Sequence, residues 1–193
     1  VSVRGRCAAG SARRRSVGRR HRAGPRGGAA RRRAFAGRFG PRSFAVPPDR
    51  KYESDGGPGI EDALKLLSGS ASPNADREQF LLVQLAFWLL AATDGHGKNF
   101  SVFLNAGDSY RLTPLYDVLS AWPVIGHGAS SLSPQKARLA MGLRARNMHC
   151  RLRDIRARHC RELAYRSGVP TVWDRMQALI EDVPPSLTAV EKR

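Results

Sequence analysis

Beyond residue 59 the apolar positions fall into runs whose periods predict most of the elements. Ile60, Leu64 and Leu67 share one face of a helix, which predicts a short helix opened near Pro58 and stopped at Gly69. Ser72-Pro73-Asn74 then reads as an N-terminal cap. From Ala75 to about Ala92 the apolar residues Phe80, Leu81, Val83, Leu85, Phe87, Trp88, Leu89 and Leu90 surround most of a helix's circumference. A helix apolar on nearly all sides is a central, buried one. Phe100 to Leu104 alternates and is rich in strand formers, Asn105 to Asp108 supplies a turn, and Tyr110 to Leu112 returns as a short strand broken by Pro114. Asp154 to Tyr165 reads as a helix with Gly168 as its stop, and Ile155, Leu163 and Ala164 face inward. Val172 to Asp182 is a further amphipathic helix that Pro184-Pro185 should end.

The segment between the central helix and the first strand is Thr93-Asp-Gly-His-Gly-Lys-Asn99. It sets a carboxylate, an imidazole, an ammonium and an amide between two buried elements. Asp94 and Asn99 stand at the spacing of a kinase catalytic loop, in which the Asp takes the acceptor hydroxyl's proton and the Asn holds a magnesium ion. Asp117, behind the hairpin, is a second candidate magnesium ligand, since magnesium prefers hard oxygen donors. Lys98 would neutralise charge on a transferring phosphoryl group. Gly95 and Gly97 would let the backbone approach phosphate closely. His96 suits either a phosphate contact or a tie within the loop.

Charge changes the picture only at the N-terminus. Of 33 Lys+Arg and 16 Asp+Glu, residues 1–50 hold 15 and 1, which leaves 18 and 15 for the remainder. The net +17 therefore belongs mostly to an Arg/Gly/Ala/Ser stretch, residues 1–45, with almost no apolar periodicity. Such a stretch cannot bury enough surface to offset chain entropy and is expected to be disordered. Two other readings stand beside that one: a basic arm for nucleic-acid phosphates, and the translation of a GC-rich gene out of frame, for a chain that opens on Val1. The Arg-rich run from Arg144 to Arg158 reads first as solvated helix surface. Three cysteines (Cys7, Cys150, Cys160) without a Cys-x-x-Cys pair form neither a disulfide framework nor a zinc site, and Cys150 and Cys160 read as packing residues. No apolar run is long enough to cross a membrane. These features point to a reducing, cytoplasmic compartment.

Three stretches carry a resemblance: Lys51-Tyr-Glu-Ser-Asp-Gly-Gly-Pro-Gly-Ile60, Thr93 to Ser101, and Tyr110-Arg-Leu-Thr-Pro-Leu-Tyr-Asp117. Together with Lys136 to Leu143 and Arg156 to His159, they resemble the C-terminal lobe of the HipA serine/threonine kinases, the toxins of HipBA toxin–antitoxin modules, over roughly residues 46–185. The resemblance implies an α+β, mostly α-helical, protein-kinase-like C-terminal lobe over 46–193, with a small β-hairpin carrying the metal site. It implies Asp94 as the catalytic aspartate and Asn99 and Asp117 as magnesium ligands. His96, Gly97, Lys98, Tyr116 and Asp117 would line the phosphates of ATP. It further implies a protein serine as substrate, the family's best-known target being glutamyl-tRNA synthetase. The implied partner is a HipB-like helix-turn-helix antitoxin, with DNA reached through it. The family carries its phosphate-covering loop and nucleotide lysine upstream of the matched region, so this chain is expected to be a C-lobe fragment of impaired activity.

Two other classes remain open on the residues alone. A catalytically silent module could grip an antitoxin or DNA without binding ATP. A metal phosphoesterase could use Asp94 and His96 as ligands, although His21, His127, His149 and His159 offer no matching pair.

Overall fold

The computed structural model describes the backbone of Phe35–Arg38 and residues 50–191. Among the described residues the fold is α+β: four α-helices with two small antiparallel sheets. In chain order these are β1 (Phe35–Arg38), α1 (Ile60–Leu67), α2 (Pro73–Leu89), β2 (Ser101–Leu104), β3 (Tyr110–Leu112), β4 (Arg138–Arg144), β5 (Met148–Arg151), α3 (Ala157–Arg166) and α4 (Val172–Glu191). The first sheet has the order β1-β2-β3 and the second is the β4-β5 hairpin.

The expected disorder of residues 1–45 lies outside the described residues except at β1, where the structure departs from it. Phe35–Arg38 pairs antiparallel with β2, Phe35 opposite Leu104 and Arg38 opposite Ser101. The other edge of β2 is taken by β3, Val102 opposite Leu112. A strand paired on one side only leaves a row of free backbone groups, and an arriving segment satisfies them whatever its side-chain periodicity. That is why composition did not reveal β1.

Helix α2 is the centre of the core, as its apolar circumference predicts. Phe80, Leu81 and Leu85 are fully buried. Around them pack Ile60, Leu64 and Leu67 of α1, Leu139, Met141 and Leu143 of β4, Cys160 and Leu163 of α3, and Val172 and Met176 of α4. Ser72 occupies the N-cap position of α2 but makes no side-chain capping bond, and Pro73 begins the helix. Buried Asp76, in the first turn, accepts the Leu112 N–H at 3.1 Å and so ties β3 to the helix. The helix stops earlier than expected, at Leu89. Ala91 takes a left-handed φ of 50°, and the Ala92 N–H reaches back to the Phe87 carbonyl at 2.8 Å. This six-to-one closure is a Schellman stop, normally made by glycine. Ala91 is fully buried, and burial favours its methyl at a position where φ alone would favour glycine.

Two expectations are corrected here. The Arg-rich run is mostly not helix surface: Arg144 closes β4, Arg151 closes β5, Arg153 lies in a single 3-10 turn, Leu152–Asp154, and α-helix begins only at Ala157. Leu139 to Leu143 is buried without interruption, which marks a strand covered on both faces and hides the alternation that sequence reading needs. Likewise α4 continues through Pro184-Pro185 to Glu191. Each proline removes one backbone donor, and on this exposed last stretch water can serve the carbonyls left over.

Where β5 meets α3, His149 and His159 stack with ring centroids 3.9 Å apart and planes at 10°. His159 is buried and accepts the Arg156 N–H at its Nδ1. Its pKa is lowered, first by burial and then by the charges of His149 and Arg158. A depressed folded-state pKa means the unfolded chain binds the proton more tightly. The stabilisation is complete above the unfolded value of about 6.5 and is lost as pH falls below it. The melting temperature is expected to drop between neutral pH and about pH 5, and His159→Phe should flatten that part of the profile. An unchanged slope in the variant would assign the acid sensitivity to other groups. Nearby Cys160 is buried, and its thiol pKa is pushed up to about 12, so it packs as a small apolar side chain, as expected.

Candidate functional site

The loop from Thr93 to Asn99 leaves the Schellman stop of α2 and closes in a 3-10 turn, Gly97–Asn99, directly before β2. Phe100 anchors its far end: its ring lies 4.8 Å from that of Phe80 and 5.8 Å from that of Phe87. The loop is thus pinned at both ends to one helix, which limits its movement.

Gly95 has a packing role in addition to the expected phosphate approach. A Cβ built there would lie 2.4 Å from the ring of Phe87, so the residue is glycine because the loop lies flat on that ring. Gly95→Ala must push aside a side chain that is itself buried. The expected cost is about 1–3 kcal/mol of stability, as for other overpacked sites, read from urea unfolding. A smaller ring-side partner, in the double variant with Phe87→Leu, should recover part of it. A neutral Gly95→Ala would disprove this packing role.

The side chains form a continuous chain of contacts. The Tyr52 hydroxyl donates to Asp94 Oδ1 at 3.0 Å, and His96 Nε2 faces the same oxygen at 3.5 Å. The His96 backbone N–H donates to Asn99 Oδ1 at 3.1 Å, and Asn99 Nδ2 donates to Asp117 Oδ2 at 2.8 Å. Asp94 and Asp117, 23 positions apart in the chain, are therefore linked through His96 and Asn99. Asp94 holds its side chain 65% exposed, whereas His96 and Asn99 are buried beneath it. The arrangement is an acid presented to solvent on a fixed base. Burial, followed by the bond to Asp94, raises the Tyr52 pKa, so Tyr52 stays a protonated donor. His96 Nδ1 is buried without a hydrogen-bond partner.

Asp117 adopts a left-handed φ of 57°, a conformation Asp tolerates better than most residues, and this carries its exposed carboxylate to Asn99. Tyr116 shares its hydroxyl hydrogen bonding with Ser101 Oγ at 2.6 Å and donates to the Lys98 carbonyl at 3.4 Å. The structure thus brings Asp94, His96, Asn99 and Asp117 into one connected set and joins Tyr116 to the backbone of Lys98. Gly97 is buried in the turn.

The donor set bears on a metal. Among the described residues no three His, Cys, Asp or Glu side chains gather into a metal-holding group. One carboxylate and one amide are too few for a resident ion but match magnesium, which is commonly held by one or two protein oxygens with the rest supplied by water and phosphates. A phosphoesterase built on Asp94 and His96 would need the larger cluster.

Sequence reading missed Tyr52 and Glu53. Glu53 accepts the Gly142 N–H of β4 at 2.8 Å and faces Arg144 at 3.4 Å, which fixes the segment carrying Tyr52 against the second sheet. The available signal was the glycine density just after them. Gly56 is left-handed at φ 84°, and a Cβ on Gly59 would lie 2.5 Å from the Glu53 carboxylate. The Gly56 and Gly57 N–H groups close a turn onto the Glu53 and Tyr52 carbonyls, and that turn seats both residues.

Comparison with known proteins adds three findings. The sequence profile of a family described as "HipA-like C-terminal domain" matches residues 41–189. A Sinorhizobium fredii protein named "Putative kinase Y4mE" is 37% identical over 98 residues, which cover 49% of this chain and 21% of that protein. The HipA, HipB and operator DNA complex of the Shewanella oneidensis MR-1 toxin–antitoxin system contains a chain that superposes with a TM-score of 0.57. The match has 20% identity over 73% of this chain and 33% of the solved one. At that identity the likeness concerns the fold, and the chain spans a third or less of the length of either relative.

Proposed function

We propose a function from the premise that this chain belongs to the HipA family, whose C-terminal domain it carries: it is the catalytic lobe of a protein kinase that transfers the γ-phosphoryl group of magnesium-ATP to a protein serine. The observation that carries this reading is the linked set Tyr52–Asp94–His96–Asn99–Asp117. It supports an exposed acid beside a carboxylate and an amide whose oxygens would suit magnesium, the two elements phosphoryl transfer requires of this lobe.

In this reading Asp94 accepts a hydrogen bond from the substrate hydroxyl and takes its proton as the oxygen attacks phosphorus. Tyr52 and His96 hold the Asp94 carboxylate in place for that contact. Asn99 and Asp117 would hold the magnesium, which when bound neutralises charge on the phosphates. In the structure the Asn99 amide nitrogen faces Asp117. With magnesium at Asp117 the amide must present its oxygen, which exchanges the His96 N–H bond for a metal bond. Lys98 and the neighbouring backbone of His96 and Gly97 border the phosphates, with Tyr116 alongside. The partner would be a HipB-like antitoxin, and DNA would be reached through it. The phosphate-covering lobe would lie in the part of the relatives that this chain does not span, so transfer by the chain alone is expected to be weak.

Metal binding tests the lobe apart from transfer. Manganese, used as a spectroscopic stand-in for magnesium, should bind with ATP, and Asp117→Ala should weaken it by about 10–100-fold. Equal manganese affinity in the two proteins would remove Asp117 from the site. Retained antitoxin or DNA affinity with no ATP binding would move the chain to the non-catalytic binding module.

A further inference from the structure

Away from the loop just described, α1, α2, β4 and α3 enclose a concavity of about 260 Å³. Its rim carries Lys65, Arg77, Arg144 and Arg166 against a single carboxylate, Glu61. Arg144 is occupied, with its Nε 3.3 Å from Glu61 and a terminal nitrogen 3.4 Å from Glu53. Arg77 donates to the Ser167 carbonyl at the end of α3, but its Nε is buried with no hydrogen-bond partner. Lys65 and Arg166 have no side-chain partner among the described residues. Both sit in the last turn of their helices, where a cation is favoured by the helix dipole. The dipole explains each of these two residues separately. It explains neither their convergence on one concavity nor the unsatisfied Arg77 nitrogen, since a buried donor left unpaired is costly.

We propose that this concavity is a binding site for a phosphate monoester group on a small molecule. Two unpaired cations beside the Arg77 guanidinium match the charge and the several acceptor oxygens of a phosphate dianion. The concave shape favours a terminal phosphate over a polynucleotide, whose backbone needs an extended basic track. None of the residues from Thr93 to Asp117 lines the concavity, so the site stands apart from the proposed phosphotransfer.

The test uses the full chain without magnesium or ATP, at constant ionic strength. Inorganic phosphate and glycerol phosphate are titrated by calorimetry against the parent and against the Lys65→Gln/Arg166→Gln double variant. The N-terminal arginines are the same in both proteins, so their non-specific binding cancels. Saturable binding is expected in the parent, weakened about tenfold or more in the variant, with an unchanged melting temperature in phosphate-free buffer. Tighter binding of glycerol phosphate than of inorganic phosphate would identify the ester as the natural source, and the reverse would identify the free ion. Equal binding by parent and variant, or no saturation up to about 10 mM, would overturn the proposal. So would an oligonucleotide whose binding needs Lys65 and Arg166 while phosphate does not compete. A variant that melts lower is replaced by Arg166→Lys, which keeps the charge and loses the planar fork, and a fall in phosphate affinity is then required.

Discussion

Asp94→Asn is expected to lower ATP-dependent serine phosphorylation by about 10²–10⁴-fold, the usual contribution of a positioned general base. The substitution keeps the shape of the side chain, and Tyr52 can still donate to the remaining carbonyl oxygen. What is lost is the negative charge that would accept the substrate proton. Asp94 contributes no link between Asn99 and Asp117, so manganese–ATP affinity should change little. The two measurements together distinguish a chemical role from a structural one. The comparison is made in whichever form of the protein transfers phosphate measurably, because this chain spans only part of its relatives. A variant that keeps more than about a tenth of parental transfer would remove Asp94 from the proton-accepting role. Equal loss of transfer and of metal binding would show that the substitution had collapsed the loop.

Phe80→Ala should have the largest effect on stability, about 3–5 kcal/mol, through lost burial and the cavity left behind. Phe80 is fully buried at the centre of α2. Its ring meets that of Phe100, the residue directly after Asn99, so the same change also loosens one anchor of the site. Against a typical total of about 5–15 kcal/mol, such a loss would leave a large unfolded fraction at physiological temperature. Urea unfolding gives the number, and the less disruptive Phe80→Leu should fall in between. A cost below about 1 kcal/mol would mean that the neighbouring side chains close the cavity and that α2 is not a rigid support for the loop.

Much of this protein could be read from local pattern. The buried α2, the β2–β3 hairpin and the glycine stop at Gly168 follow from spacing and turn chemistry, which act between residues close in sequence. The Asp94-to-Asn99 spacing was likewise visible, because both residues lie on one short loop, five positions apart. The elements missed have in common that their cause lies elsewhere in the chain. Strand β1 exists because β2 offers an open edge, and β4 lost its alternation because both of its faces are covered.

The same division runs through the candidate site. The order of residues along the chain determined which chemical groups stand next to the buried helix. It also determined that a second carboxylate follows a hairpin's length later. Only tertiary structure decided that Asp117, through a left-handed backbone, turns onto Asn99, and that Tyr52 from a distant turn reaches Asp94. It also set Gly95 against the ring of Phe87. The reason is one of range: helix periods and turns depend on neighbours a few residues away, whereas these contacts depend on where whole elements come to rest against a shared core.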